Sequence, residues 1–190
     1  MAEPARKLWT LDEFLVFDDG TDTRYELIGG ELVAMAPPSG IHGALAAGLA
    51  LAIGAQLVRP CRVVTEAGIM LPDRNAYYQA DLAVSCAELT PEPAVAAPKV
   101  IVEVLSPSTA ATDYLHKLPD YRGIPSVQDI LLVSSTEARI EHWRRKVDGW
   151  KVQDLRGEGV VRLQAFDITV ALADLYDGLL PAEAAEQAAG

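Results

Sequence analysis

Two carboxylates interrupt stretches of sequence that otherwise have the composition of buried β-strands. Glu103 stands in the middle of VIVEVL, a nearly continuous apolar run that is typical of a central strand covered on both faces. Asp81 interrupts the apolar segment ADLAV in the same way. An isolated buried carboxylate must be neutralised, paired or bound to a metal, because burying a charge is very costly. At this point a structural salt bridge explains Glu103 as well as a catalytic role does.

If the two strands are neighbours, the two carboxylates converge in the middle of a sheet. Hard oxygen ligands of this kind suit Mg²⁺ or Mn²⁺, which bind carboxylates and retain several waters. Lys117, on a predicted helix after the Glu103 strand, could direct its ammonium to the same place. These groups can hydrolyse a phosphodiester: the ion activates water, and the lysine stabilises charge or helps to deprotonate the water. The sequence spacing of Asp81, Glu103 and Lys117 is by itself only weakly specific for such a site.

Three segments resemble the Uma-two family of restriction endonucleases, which is assigned to the PD-(D/E)XK nuclease superfamily. They are RYELIGGELVAMAPPSGIHG, YYQADLAVS and VIVEVLSPSTAATDYLHKLPDYR. The resemblance extends over residues 10–175, nearly the whole chain. It implies a metal-dependent endonuclease that uses Mg²⁺ or Mn²⁺ and acts on DNA.

The resemblance also implies roles for individual residues. Asp81 matches the first metal-binding Asp of the family, and Glu103 matches its second acidic ligand. The superfamily's lysine normally stands two residues after that acid, where this chain has Leu105. Lys117 matches a lysine that has moved to the following helix. Glu26, in the YEL motif, matches an acidic residue that acts as an additional ligand or orients water, so we include it among the catalytic candidates.

Two more residues are candidates for contacts with the substrate. His42 matches the family's His at the start of a helix, although a structural hydrogen bond at a helix N-terminus explains it equally well. Gln79 precedes Asp81 by two residues, and it therefore lies on the same face of the strand. From there it could contact substrate or metal-bound water.

Local patterns predict the elements that must position these residues. Two alternating runs flank Gly29-Gly30, which is a two-residue hairpin signal because both turn positions need φ > 0. In that register Glu26 and Glu31 lie on one face as diagonal neighbours. Pro119 should end or kink the helix that carries Lys117. Helices are predicted at 4–17, 42–58, 109–118 and 171–179, and strands at 62–70, 77–85, 99–105, 129–133, on both sides of a turn at 147–149, and near 160–170.

These elements predict an α/β (α+β) fold with a restriction-endonuclease-like mixed central sheet, flanking helices and an N-terminal hairpin. A length of 190 residues suits one domain, which we place at residues 1–180. Residues 181–190 are expected to form a frayed tail.

The net charge of −11 is unusual for an enzyme that acts on DNA, because phosphate binding depends on Lys and Arg. The one basic cluster, at 144–151, is more simply a solvated strand edge. The charge keeps a second hypothesis open, in which a catalytically silent member of the fold serves as a binding or dimerisation module. The intact ligand positions favour the enzyme. A serine hydrolase built from Ser106 or Ser108 with His42 and Asp81 is excluded, because no GxSxG motif is present.

Cys61 and Cys86 are isolated in the sequence. Such cysteines are more often buried core residues than a disulfide, and this favours a cytoplasmic location. No apolar secretory signal is visible at the N-terminus.

The helix at 42–58 is too short and too rich in Ala and Gly to cross a membrane, which takes about 20 apolar residues. It is apolar nearly all round, and we therefore predict a homodimer, the commonest oligomer.

Overall fold

The computed structural model describes residues 7–180. The strands are β1 (Tyr25–Ile28), β2 (Glu31–Ala34), β3 (Arg62–Leu71), β4 (Ala76–Ser85), β5 (Pro98–Leu105), β6 (Asp129–Ser134), β7 (Arg139–Lys146), β8 (Gly149–Arg156), β9 (Val160–Leu163) and β10 (Ile168–Ala171). The helices are α1 (Leu11–Leu15), α2 (Gly40–Gly54), α3 (Ala110–Thr112), α4 (Leu118–Gly123) and α5 (Leu172–Tyr176). A π-helical turn at Asp113–Lys117 joins α3 to α4.

Eight strands form one mixed sheet in the order β2-β1-β4-β5-β6-β7-β8, with β3 paired to β4 outside this path. Only β5 and β6 run parallel, and the other neighbours are antiparallel. A two-stranded sheet of β9 and β10 lies apart from it. The predicted strand near 160–170 is thus two short strands joined by a turn. The prediction of a mixed α+β fold with an N-terminal hairpin is confirmed.

The hairpin of β1 and β2 has the predicted register. Gly29 and Gly30 occupy the turn with φ of 58° and 86°, a backbone region that glycine adopts without a steric penalty. Glu26 is opposite Val33. The hairpin joins the main sheet where Leu27 pairs with Tyr77 of β4. Because β3 pairs along the whole of β4, β1 and β5 must share the other edge of β4. Glu26 therefore comes close to β5.

Strands β4 and β5 are neighbours, which is the condition that we set for Asp81 and Glu103 to converge, and they run antiparallel. Leu82 is paired with Val102, and Asp81 and Glu103 are the next residues beyond this pair on the two strands. Both carboxylates line one cavity at this end of the pairing.

The sheet is buried on both faces, which explains the continuous apolar character of β5. Val100, Val102 and Val104 pack in a core cluster with Leu45 and Leu49 of α2. On the opposite face, the side chains that share a core cluster with β5 include Leu118 and Tyr121 of α4. The face that carries Glu103 is therefore covered by the segment that carries Lys117.

The predicted helix at 42–58 differs from the structure in its bounds and in its burial. Helix α2 begins after the N-cap Ser39 and ends at Gly54, four residues before the predicted end. It is not buried all round: Leu45 and Leu49 are fully buried, whereas Leu51 is 74% exposed. No helix within residues 7–180 is long and apolar enough to cross a membrane.

The N-terminal helix is shorter than predicted, since only Leu11–Leu15 is helical. Thr10 caps it, in a reciprocal capping box with Glu13. Residues 4–6 of the predicted helix lie outside the described residues, and so does the predicted tail at 181–190.

Pro119 does not end the helix on which Lys117 lies. It is the second residue of α4, and the helix continues into it from the π turn, since Lys117 and Leu118 both have helical dihedral angles. The wider π turn comes directly before it, and there the amide of Leu118 donates to the carbonyl of Asp113. Single π turns within α-helices are frequent at functional sites.

The expectation of two unlinked cysteines is wrong. Cys61 and Cys86 form a disulfide, because the two residues lie just beyond the paired ends of β3 and β4, where Arg62 is opposite Ser85. Sequence spacing did not reveal this cross-strand proximity. The sequence-based reason for a cytoplasmic location rested on unlinked cysteines, and it loses that support.

Candidate active site

A cavity of about 290 Å³ lies among β1, β2, β4, β5, the start of α2 and the segment that runs from Ser108 to Lys117. The six residues predicted as site residues all line it: Glu26, His42, Gln79, Asp81, Glu103 and Lys117. They come from five elements that are distributed along the sequence: β1, α2, β4, β5 and the π turn. The sheet register and the docking of the helical segment bring them together.

Lys117 occupies the centre of a cage of carboxylates. Its Nζ lies 2.9 Å from Glu26, 3.4 Å from Glu103 and 3.3 Å from Asp113, and the residue is only 6% exposed. Burial alone would lower the pKa of Lys117, but the three carboxylates outweigh burial and raise it above its ordinary value. The side chain therefore remains a positive charge at neutral pH.

Glu103 is buried at the centre of β5. Its Oε1 accepts a 2.6 Å hydrogen bond from the Tyr121 hydroxyl and also lies 3.4 Å from Lys117. Burial raises the pKa of Glu103 to about 8, although the positive charge of Lys117 opposes this rise. A carboxyl group with such a pKa is stabilised in its ionised form by any additional cation in the cavity.

Glu26 links the hairpin to the site. Its Oε1 accepts a 2.7 Å hydrogen bond from the backbone amide of Gln79 and also contacts Lys117. A carboxylate thus satisfies a backbone amide of β4 and holds the ammonium at the same time. The side-chain amide of Gln79 donates to the carbonyl of Glu66 at 3.4 Å.

Asp81 has a partner on each oxygen. Its Oδ1 lies 2.8 Å from Nε2 of His42, and its Oδ2 accepts a 2.6 Å hydrogen bond from the backbone amide of Val104. The hydrogen bond with Asp81 raises the pKa of His42, while burial opposes this effect. His42 lies in the first turn of α2, where its amide donates to the cap residue Ser39. The structural hydrogen bond that we considered for His42 therefore exists at its backbone, while its ring faces the site.

Two buried residues of the site were missed in the sequence. Asp113 contacts Lys117, and burial raises the pKa of Asp113 although Lys117 opposes this. Tyr121 donates to Glu103. A spacing of four residues from Asp113 to Lys117 and again to Tyr121 is a signal that could have revealed both, because residues four apart share one face of a helix.

The basic cluster lies elsewhere and is not a solvated strand edge throughout. The guanidinium of Arg145 donates to the backbone carbonyls of Arg122, Ile124 and Val127, and it stacks on the ring of Trp150 at 4.5 Å. This side chain satisfies carbonyls at the end of α4 and in the loop that follows. Its main contacts are structural.

The donors and charges of the cavity fit a hard divalent ion. Four carboxylate residues and one lysine line the cavity, so the site has an excess of acidic side chains. Mg²⁺ commonly binds through one or two carboxylates and completes its shell with water and phosphate oxygens, and Asp81 and Glu103 can supply such a pair. Within residues 7–180 no three His, Cys, Asp or Glu side chains form a ready-made metal cluster. An ion held here would therefore depend on water or substrate for its remaining ligands.

A mixed sheet with carboxylates on two adjacent central strands, and a lysine packed against them, defines a restriction-endonuclease-like protein. Residues 11–173 match the model of the Uma2 family, described as "Putative restriction endonuclease". The chain belongs to this family, and the resemblance noted in the sequence is confirmed.

Two relatives and one solved structure are similar to this chain over most of its length. An uncharacterized protein of Synechocystis is 28% identical over 165 residues, which cover 83% of this chain and 93% of the relative. A second uncharacterized protein of the same organism is 27% identical over 173 residues, with coverages of 88% and 91%. The crystal structure of a "putative nuclease belonging to DUF820" from Anabaena variabilis has a TM-score of 0.71 at 21% identity. It covers 90% of this chain and 99% of that one. At this identity the match establishes the fold.

Proposed function

We propose that the protein is a metal-dependent endonuclease that hydrolyses phosphodiester bonds in DNA. The observation that carries this proposal is the position of Lys117 against Glu103, in a cavity that Asp81 also lines. The family of the chain supports the same activity. The proposal also explains why so many charged groups are buried, since a purely structural core gains little from burying ionic groups.

Asp81 and Glu103 are the residues that would hold Mg²⁺ or Mn²⁺. Such an ion, when bound, supplies Lewis-acid stabilisation of phosphoryl oxygens and lowers the pKa of a bound water. Asp81 is oriented for this role by the Val104 amide and Glu103 by the Tyr121 hydroxyl. Both carboxylates are thus fixed before any ligand enters.

Lys117 acts in this proposal as a fixed positive charge. The sequence left two roles open, charge stabilisation or deprotonation of water. The three carboxylates that surround the ammonium raise its pKa, and a protonated amine cannot accept a proton. Lys117 therefore stabilises the negative charge that develops on the phosphate, and Glu26 holds the ammonium in place.

Contacts with substrate fall to polar side chains of the cavity in this proposal. His42 and Gln79 line it, and so do Ser108, Thr109 and Thr112, whose hydroxyls can donate to phosphate oxygens. Among the described residues that line the cavity, Lys117 is the one Lys or Arg. A polyanion therefore meets a single Lys or Arg in this cavity, and the divalent ion must offset part of the repulsion from the carboxylates.

DNA cleavage tests the proposal directly. The purified protein should nick supercoiled plasmid or cut oligonucleotides with Mg²⁺ or Mn²⁺, and EDTA should abolish the cleavage. Asp81→Asn should remove the activity because it removes a ligand charge. Asp174→Asn, which neutralises an exposed carboxylate on α5, should cut like the wild type. DNA binding without cleavage under every metal condition would instead favour the catalytically silent binding module.

We also propose that the protein is a homodimer, which suits an enzyme that must cut two strands. Helix α2 contains no Asp, Glu, Lys or Arg, and Leu51 on its outer side is 74% exposed. Multi-angle light scattering should give twice the chain mass, and Leu51→Glu should shift the protein towards the monomer. A wild-type monomer at high micromolar concentration would contradict this prediction.

A cytoplasmic location of the protein remains a prediction.

A further inference from the structure

One face of the helical segment after β5 carries three polar residues at a spacing of four. Asp113 and Lys117 form an ion pair through this spacing, and Tyr121 follows one turn later in α4. All three residues are buried. Lys117 and Tyr121 both contact Glu103. This face therefore packs its polar groups against the central carboxylate of β5.

The two contacts of Glu103 converge on one oxygen. The Tyr121 hydroxyl donates to Oε1 at 2.6 Å, and Lys117 Nζ lies 3.4 Å from the same atom. Among the described residues, no hydrogen bond or ion pair is found at Oε2. Because Glu103 lines the cavity, this second oxygen is the one left for a ligand that enters it.

Tyr121 is held rigidly enough to orient its partner. Its side chain is fully buried, and its ring packs edge-to-face against Tyr78 with 5.7 Å between centroids. Both rings belong to the core cluster on this face of the sheet. A hydrogen bond of 2.6 Å from a fixed phenol restricts rotation of the carboxylate about its terminal torsion, which is otherwise broad.

We propose that Tyr121 is a positioning residue for metal binding: it fixes Oε1 of Glu103 so that Oε2 is presented to the divalent ion. The inference rests on the proposed function, since it takes Glu103 to be a metal ligand. Tyr121 itself does not touch the ion or the substrate. Hydrogen bonds to ligating groups typically change metal affinity by about 10–100-fold when they are removed.

The chain offers a closely matched control for this test. Tyr78 is also a buried tyrosine of the same aromatic pair, and its hydroxyl donates at 2.6 Å to Asp120, outside the metal pair. Tyr121→Phe and Tyr78→Phe each remove one buried hydroxyl and keep the ring. Isothermal titration with Mn²⁺ measures affinity for each variant, and thermal unfolding without metal measures its stability.

We expect Tyr121→Phe to weaken Mn²⁺ binding by about 10-fold or more, while Tyr78→Phe binds like the wild type and both variants remain folded. Wild-type affinity in Tyr121→Phe would overturn the inference and leave the proposed metal site intact. Equal weakening in Tyr78→Phe would overturn it as well, because the effect would then follow from loss of any buried hydroxyl in the pair. A wild type that does not bind Mn²⁺ would overturn the metal site, and the role of Tyr121 with it.

Discussion

Lys117→Ala is expected to reduce DNA cleavage by about 10²–10³, the usual effect of removing one group that stabilises transition-state charge. It should also destabilise the protein by about 3–5 kcal/mol, because it leaves buried acids without their cation. Glu26, Glu103 and Asp113 all lose a partner at once. Single-turnover cleavage and urea unfolding in the absence of metal measure the two effects.

The two effects of Lys117→Ala can be separated. Mn²⁺ should raise the melting temperature of the variant more than that of the wild type, because an ion at Glu103 offsets part of the missing charge. Lys117→Arg should restore stability better than activity, since a planar guanidinium does not place its charge where a compact ammonium does. Lys151→Ala, at an exposed position on β8, is the control. Full activity in Lys117→Ala would exclude Lys117 from the reaction.

The central geometry was predictable because short-range patterns determine it. Alternation around Gly29-Gly30 defined the hairpin register, and apolar runs marked the segments of β4 and β5 as strands. The pairing of these two strands then brings Asp81 and Glu103 to one cavity. The place of Glu26 depends on how β1 meets β4, at Leu27 and Tyr77, which no local pattern encodes.

The environment of Lys117 could not be predicted in the same way. We expected the ammonium of Lys117 to approach the carboxylates on the sheet. The cage of three acids around it depends on the π turn at Asp113–Lys117 and on the docking of α4 over β5. A π turn changes the angle between successive side chains. No residue in the segment DYLHK indicates that such a turn will form there. The spacing of Asp113, Lys117 and Tyr121 was visible, but it points to this site only after the helix is docked.

Tertiary contacts also explain the predictions that were wrong. Cys61 and Cys86 are 25 residues apart and become neighbours only through the pairing of β3 with β4. Arg145 looked like an exposed cation, but its partners are the carbonyls that follow α4. In both cases the side chain contacts a segment that is distant in the sequence. Local composition therefore predicted the wrong surroundings for it.

Metal binding is expected to disappear in the double variant Asp81→Asn/Glu103→Gln. The amides keep an oxygen that can accept the hydrogen bonds from Val104 and Tyr121, so the change removes charge and preserves shape. In the wild type, Mn²⁺ at 100 times its dissociation constant should stabilise the fold by about 2.7 kcal/mol. The double variant should show no such increase and no heat of binding in isothermal titration.

When no metal is present, replacing Glu103 should have a different effect: it should not lower the stability of the protein. Burial raises the pKa of Glu103 to about 8, so its ionised form is unfavourable at neutral pH until a cation arrives. Glu103→Gln removes that penalty, while Lys117 retains Glu26 and Asp113 as partners. The single variant Glu103→Gln should therefore be at least as stable as the wild type when both are free of metal. A control that neutralises two exposed carboxylates, Glu92→Gln/Asp174→Asn, should bind Mn²⁺ normally. Mn²⁺ binding that survives in Asp81→Asn/Glu103→Gln would show that the ion is held by other residues, and the proposed site would be wrong.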